Sequence, residues 1–359
     1  MTVAVRTRTL AAGVALVLPL AAVAGCNAAV TAKKETIRVS LEKAAANLAG
    51  SRSASFVVRF DDPRGTLRKA APADLLNGGT VSFTIDPTGN KTLRDLQNAD
   101  PKMPAAEKLN LANIELAVDA DGGPVSQVRL VNGTVYVRAD INRVSRLARK
   151  AGTGTDPAAA LDALAGPNKA RLKPLITDIR AGRWIKLPLA PYAGLLDGLA
   201  AQNKTGTPPV DGQKLGADLI AAVQPYITVT DAAVTGTDRI LDVKVQAKPA
   251  LKAVLDQLRS LDLALPGKDQ PDTTAVDRLK DGTVDGQVVL TGDHLRRFSF
   301  DLGSVARLVP AGKPRVPDLT GAAVVVDVND AAAEVKAPTD VSPVDVGALL
   351  TSAVSDAAF

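Results

Sequence analysis

Apolar residues recur at every second position through much of the chain, and that period predicts strands with one apolar face and one polar face. In Ser53 to Phe60, the residues Phe56, Val58 and Phe60 share one side, with Ser55 and Arg59 on the other. Val81, Phe83 and Ile85 alternate with Ser82 and Thr84, and Ile114, Leu116 and Val118 alternate with Glu115 and Asp119. Val128 and Leu130 follow the same rule, and Asn132-Gly133 then turns the chain into Thr134 to Val137. Asn-Gly is a strong hairpin signal because both residues tolerate positive φ. Further strands are expected at Arg183 to Leu187, Tyr226 to Thr230, Ile240 to Ala247, Val284 to Leu290, Leu295 to Leu302 and Ala323 to Val328. Strands this two-faced belong in an antiparallel sheet rather than a buried parallel one.

The period changes to that of a helix in several places. Ile37, Leu41 and Leu48 share a face before Gly50 ends the run. Ile141, Val144 and Leu147 form a second stripe, with Arg143, Arg146, Arg149 and Lys150 on its other sides. Leu161 and Leu164 mark a third, Tyr192 to Leu199 a fourth and Leu215 to Val223 a fifth. Leu251, Val254, Leu255, Leu258 and Leu261 give the clearest stripe of all. Pro/Gly/polar stretches at Gly152 to Pro157, Gln202 to Gly212 and Pro266 to Thr274 read as long loops within one α+β domain over residues 35–340. A faint echo links Val144 to Gly152 with Val305 to Gly312, and chance in an Ala/Arg/Leu/Gly-rich chain accounts for it more readily than duplication does.

Residues 1–25 read as a signal peptide. Arg6 and Arg8 are its basic start, and Leu10 to Ala24 is an uncharged run shorter than the roughly 20 residues a permanent span needs. Val23-Ala24-Gly25-Cys26 is similar to a bacterial lipobox, in which the Cys thiol receives a diacylglycerol thioether and becomes the first mature residue. Cys26 is the only Cys in the chain, so disulfides and thiol redox pairs are excluded. Residues 26–34 make a tether, and 341–359 a C-terminal tail expected to form a short helix.

Composition narrows the chemistry. The 359 residues contain one His, one Cys, two Met and one Trp, a stock too small for zinc, iron–sulfur or Ser–His–Asp sites. No metal or cofactor is expected. Lys and Arg number 43 against 38 Asp and Glu, and Arg6 and Arg8 supply two of that excess. So small a surplus argues against nucleic-acid binding. His294, in Gly292-Asp293-His294, is expected on a solvent-facing turn. Asp119-Ala-Asp121-Gly122-Gly123 lacks the later oxygen ligands of a calcium loop and reads as a hairpin turn. Trp184 is expected to pack in the sheet.

The phrases Val131-Asn-Gly-Thr-Val-Tyr-Val-Arg138, Gly182-Arg-Trp-Ile-Lys-Leu187 and Val324 to Asp330 through Val335-Lys-Ala-Pro338 resemble phrases of the LprG/LppX group of actinobacterial lipoproteins. The resemblance runs from about Ile37 to Pro338. It implies the half-barrel fold shared with LolA and LolB: a large curved antiparallel sheet whose concave apolar face is covered by helices and holds lipid or lipoglycan acyl chains. The chain departs from that group in its length, its few aromatics and its expanded loops around 150–175 and 200–215. The residues expected to line such a cavity are Phe56, Val58, Phe60, Val81, Phe83, Ile85, Ile114, Leu116, Val118, Phe298 and Phe300. Arg143, Arg146, Arg149 and Lys150 are candidates for head-group or membrane contact.

Function then divides into classes. One is a non-enzymatic, monomeric lipid or glycolipid carrier, anchored through Cys26 to the extracytoplasmic face of the cell membrane, with an envelope transporter as candidate partner. The other is an envelope interaction or sensor module on the same fold, with no lipid ligand. An enzyme with an unrecognised carboxylate pair is a third class that no motif supports. On patterning alone, the apolar sheet face reads more readily as a filled core than as a cavity wall, and it is the fold resemblance that brings the two readings level.

Overall fold

The computed structural model describes residues 32–67, 78–100, 103–120, 122–150, 156–165, 169–189, 218–219, 221–260, 276–310 and 318–345. The strands are β1 (Ala54–Asp61), β2 (Thr80–Pro87), β3 (Ala112–Ala120), β4 (Gly123–Val131), β5 (Thr134–Ala139), β6 (Ile185–Pro188), β7 (Ile227–Thr235), β8 (Asp238–Gln246), β9 (Thr283–Thr291), β10 (His294–Asp301) and β11 (Ala323–Asn329). The helices are α1 (Ala32–Gly50), α2 (Leu93–Gln97), α3 (Ala105–Lys108), α4 (Ile141–Lys150), α5 (Pro157–Ala165), α6 (Lys169–Arg180), α7 (Ala247–Ser260) and α8 (Leu302–Leu308). The fold class is α+β. In the unit carrying β1 to β6 the hydrogen-bonded strand order is β6-β5-β4-β3-β2-β1, and in the unit carrying β7 to β11 it is β11-β10-β9-β8-β7; the strand pairs within each unit are antiparallel. The chain packs as two compact units, Met1–Gly50 with Lys204–Asp330 and Ser51–Asn203 with Ala331–Phe359.

In the unit carrying β7 to β11, the apolar face is a closed core. Leu241, Val288, Phe298 and Val326 stand opposite one another across four strands, and all are buried, Leu241 completely. The Phe298 and Phe300 rings meet edge to face at 6.4 Å, a favoured aromatic geometry. Phe300 also lies over Gly286, where a Cβ would sit 3.0 Å from its ring and 2.6 Å from the Ser299 carbonyl oxygen. Only glycine fits that strand position. Helix α1 lies against β10 and β7 and buries Ile37, Leu41 and Ala44. It is fastened by Arg239 Nη1 donating to Ser40 Oγ (2.9 Å) and by Asn47 Nδ2 donating to the Asp293 carbonyl (2.8 Å).

The unit carrying β1 to β6 is an antiparallel meander. Asn132 and Gly133 both take positive φ, 47° and 69°, the two left-handed residues that a tight β4–β5 turn requires. Gly122, at φ 76°, lies in the β3–β4 turn that was the superficial calcium-loop candidate. The apolar ladders cross five strands in register. One runs Phe56, Phe83, Leu116, Val128 and Val137; a second runs Ala54, Ile85, Ile114, Leu130 and Val135. On the other face, Val131, Tyr136, Trp184 and Val335 form a buried cluster joined by Val341. The segment after β11 straps across this side. Ser53 Oγ donates to the Ala332 carbonyl (2.8 Å), the Val335 N–H to Asp86 (3.0 Å), and Ser342 Oγ to the buried Asp178 (2.5 Å).

The stretch around 150–175, expected as an expanded loop, is largely helical. Helix α5 begins at Asp156, whose carboxylate accepts from the Ala158 N–H and the Ser145 hydroxyl. Those two bonds, with Arg149 nearby, hold that carboxyl below its ordinary range. Helix α6 follows at once. Residues 341–345 of the expected tail are not helical: Val341 bridges Trp184. The rest of the tail, Tyr192 to Leu199 and most of the stretches around 202–212 and 266–274 lie outside the described residues, as do the leader and Cys26.

The echo between Val144 and Val305 has a local structural counterpart. In both places a hairpin strand ends in an Asp that caps the following helix. Asp140 Oδ1 accepts from the Arg143 N–H (2.9 Å), and Asp301 accepts from Gly303 and Ser304 (2.9 and 3.0 Å). The matched run therefore extends back to the capping residue, from Asp140 to Leu147 and from Asp301 to Leu308.

Candidate functional site

Two features stand out among the described residues, both in the unit carrying β1 to β6. The first is the apolar face of its strands. Leu116 and Val128 are register partners, as are Val128 and Val137, and they are 41%, 37% and 42% exposed. Val81, one pleat along on β2, is 42% exposed. Phe56, Val58, Phe60, Phe83, Ile85, Ile114 and Val118 surround them and are half-buried. Nine of the eleven expected lining residues thus share one face of β1 to β3. The central aliphatic positions Val81, Leu116, Val128 and Val137 are the exposed members of this face. The other two, Phe298 and Phe300, belong to the closed core of the other unit. Contiguous exposed aliphatic surface of this kind marks an interaction or ligand surface in soluble proteins.

The second feature is a cleft of about 320 Å³ lined by Pro124 to Gln127 of β4, Arg138 to Asp140 at the end of β5, Asn142 and Arg143 of α4, and Arg180 to Gly182 after α6. Three arginines, Arg138, Arg143 and Arg180, and one acidic residue, Asp140, are among its lining residues. Arg138 donates to Gln127 and stacks on Trp184, its Cζ 4.8 Å from the ring centroid. Arg129 lies 4.9 Å from the same ring and bonds Glu115 at 3.1 Å. Arg143 donates to the Ala120 carbonyl (2.8 Å) and has its Nε 3.5 Å from Asp140. The basic helix expected to contact head groups is therefore divided. Arg143 turns into the cleft, while Arg146, Arg149 and Lys150 are exposed.

His294, expected on the turn, opens β10 directly after the Gly292-Asp293 turn; it is exposed and not solitary, since its Nδ1 bonds Asp330, which also lies 3.4 Å from Arg296. Trp184 is buried as expected. Among the described residues, no three His, Cys, Asp or Glu side chains gather as a metal site, and no helix is long and apolar enough to cross a membrane.

No protein-family model matches the chain, and no curated protein matches it. Among solved structures it is similar to the Mycobacterium tuberculosis lipoprotein LppX, at 10% identity. That match covers 85% of this chain and 99% of that one, with a TM-score of 0.31.

The shared face of those nine residues follows from the period-two alternation of the strands, whereas the cleft has no such signal. Arg138, Arg143 and Arg180 come from a strand end, a helix start and a helix end, so no local spacing brings them together. The one available signal was α6 itself. Leu172, Leu175, Ile176 and Ile179 have helical spacing, which Pro174 inside the helix obscures.

Proposed function

We propose that this chain is a lipid-anchored envelope protein that holds lipid or lipoglycan acyl chains against the apolar face of β1 to β5 and carries out no chemistry on them. The observation that supports this reading is the open ladder of Leu116, Val128 and Val137 with Val81 beside it. A filled core would bury these side chains as Leu241 and Val288 are buried in the other unit. Taking a 16-carbon chain from a membrane forfeits on the order of 12 kcal/mol at ~0.8 kcal/mol per methylene. A face five strands wide offers the aliphatic length that such an exchange demands. Cys26 carries the diacylglycerol anchor in this reading, which keeps the domain at the extracytoplasmic surface of the cell membrane. The absence of a nucleophile–base pair in the motifs fits a carrier.

The test is photocrosslinking with a phospholipid bearing a diazirine in its acyl chain. Labelled peptides should map to β2 through β5, and Leu116→Asp should abolish the labelling. Label spread evenly over the surface, or capture of a polypeptide in place of lipid on the same strands, overturns the carrier reading in favour of the interaction module.

A further inference from the structure

We infer that the tip of the β7–β8 hairpin, with Val39 of α1 beside it, seats the unit carrying β7 to β11 on the surface of a lipid bilayer. The inference rests on the reading of Cys26 as the lipid-bearing residue, and not on lipid binding by the face of β1 to β5. Val234 stands opposite Arg239 in the hairpin and is 72% exposed, the most exposed large hydrophobic side chain among the described residues. Ala233, Val234, Thr235, Gly236 and Thr237 are all exposed, and none carries a charge. The charged residues that follow are turned to the fold. Asp238 accepts from the Thr291 hydroxyl (2.6 Å), and Arg239 donates to Ser40 Oγ (2.9 Å). Helix α1 therefore meets the hairpin at Ser40, and Val39, the residue before it, is also exposed, at 37%.

The direction of α1 fixes which end of the unit meets the anchor. Ser40 bonds the β7–β8 hairpin, and Asn47 further along bonds the Asp293 carbonyl of the β9–β10 turn. The N-terminal half of the helix is thus the half at Val234. Residues 27–31 are all that separate Cys26 from α1, and at the extended limit of about 3.6 Å per residue that connection reaches about 22 Å. Val39 lies about 10 Å further, at 1.5 Å rise per helical residue. A lipid on Cys26 therefore confines this corner of the unit to the space beside the bilayer. Two valines and a hairpin tip cover far less than the roughly 1,200 Å² that a specific protein–protein contact buries. A tethered chain meets its own membrane intramolecularly, so a contact too small to hold a free protein is populated. At the interface apolar burial is favourable and buried charge is costly, which suits an uncharged tip with an exposed aliphatic side chain.

The test uses the full-length lipidated chain in vesicles of equal parts phosphatidylcholine and phosphatidylglycerol, with doxyl-phosphatidylcholine as quencher. Cys26 is the chain's one cysteine and its thiol carries the lipid, so an introduced cysteine alone takes an environment-sensitive NBD label. Val234→Cys reports the tip. Val305→Cys, on α8 beyond the far end of β10 and 38% exposed, is the comparison. The label at position 234 should shift to the blue and lose most of its emission to the doxyl lipid, and the label at position 305 should do neither. With the label at Val39→Cys, Val234→Asp should remove the quenching and leave flotation with the vesicles unchanged. Equal quenching at 234 and 305, no quenching at 234 in chain that floats, or quenching at 39 that survives Val234→Asp overturns the inference and leaves the anchor standing. A blue shift at 234 that needs no vesicles and grows with protein concentration makes a second copy the occupant, and overturns it too. Chain that carries no fatty acid and does not float refutes the anchor itself, and the inference with it.

Discussion

Leu116→Trp distinguishes an open sheet face from a filled one. Leu116 faces Phe83 on one side and Val128 on the other and is 41% exposed. Fully burying a Leu side chain contributes about 1.5–3 kcal/mol, so the three-fifths that is covered here makes Leu116→Ala cost about 1–2 kcal/mol. A Trp at the same place can project its extra volume outward, and the change in stability should stay within about 0.5 kcal/mol. Leu241 is the internal comparison: it lies mid-strand on the apolar face of the other unit and is fully buried. There Leu241→Ala should cost about 2–5 kcal/mol, and Leu241→Trp about 1–3 kcal/mol through overpacking. The assay is urea unfolding of lipid-free protein, with the midpoint compared at unchanged slope. If Leu116→Trp is as destabilising as Leu241→Trp, the face of β1 to β5 is filled and the reasoning fails.

Cys26→Ala should abolish incorporation of radiolabelled fatty acid and release the chain from membranes; equal labelling of both forms refutes the anchor. Trp184→Ala removes the side chain that Arg129, Arg138, Tyr136 and Val341 pack against, and should cost about 3–5 kcal/mol in chemical denaturation. Proteolysis should then cut first within residues 331–345, whose strap that cluster holds. Asp301→Ala deprives the Gly303 and Ser304 N–H groups of their acceptor and should cost about 0.5–2 kcal/mol, with Asp301→Asn recovering most of it. Asp156 loses its contribution as pH falls through its lowered native pKa, because protonation weakens its hold on Ala158 and Ser145. The acid limb of the wild-type stability curve should therefore flatten in Asp156→Asn.

The strands are legible in the sequence because polar and apolar side chains alternate along most of them. Alternation such as Phe83-Thr84-Ile85 or Leu241-Asp242-Val243 writes the period directly into the chain. Asn132-Gly133 marks a turn because Asn and Gly both take positive φ at little cost. The difference between an open and a closed face is not written there. Phe83 and Leu116 alternate just as Phe298 and Leu241 do, and only the packing around each separates them. Helix α6 escaped notice because a Pro inside it reads as a break, although four apolar residues keep helical spacing across it. The recurrence of Asp140 to Leu147 at Asp301 to Leu308 looked like chance until both Asp residues proved to cap helices after hairpin strands. The arginine cleft depends on contacts between distant segments, which no window of sequence contains.

Whether the open face carries lipid is decided most directly by native mass spectrometry of the full-length chain purified from membranes, alongside Leu116→Asp. A carrier retains lipid near one molecule per chain, beyond the anchor on Cys26, and Leu116→Asp loses that lipid while staying folded. Wild-type protein that shows only the mass of the anchored chain, and that takes up no added phospholipid, contradicts the account.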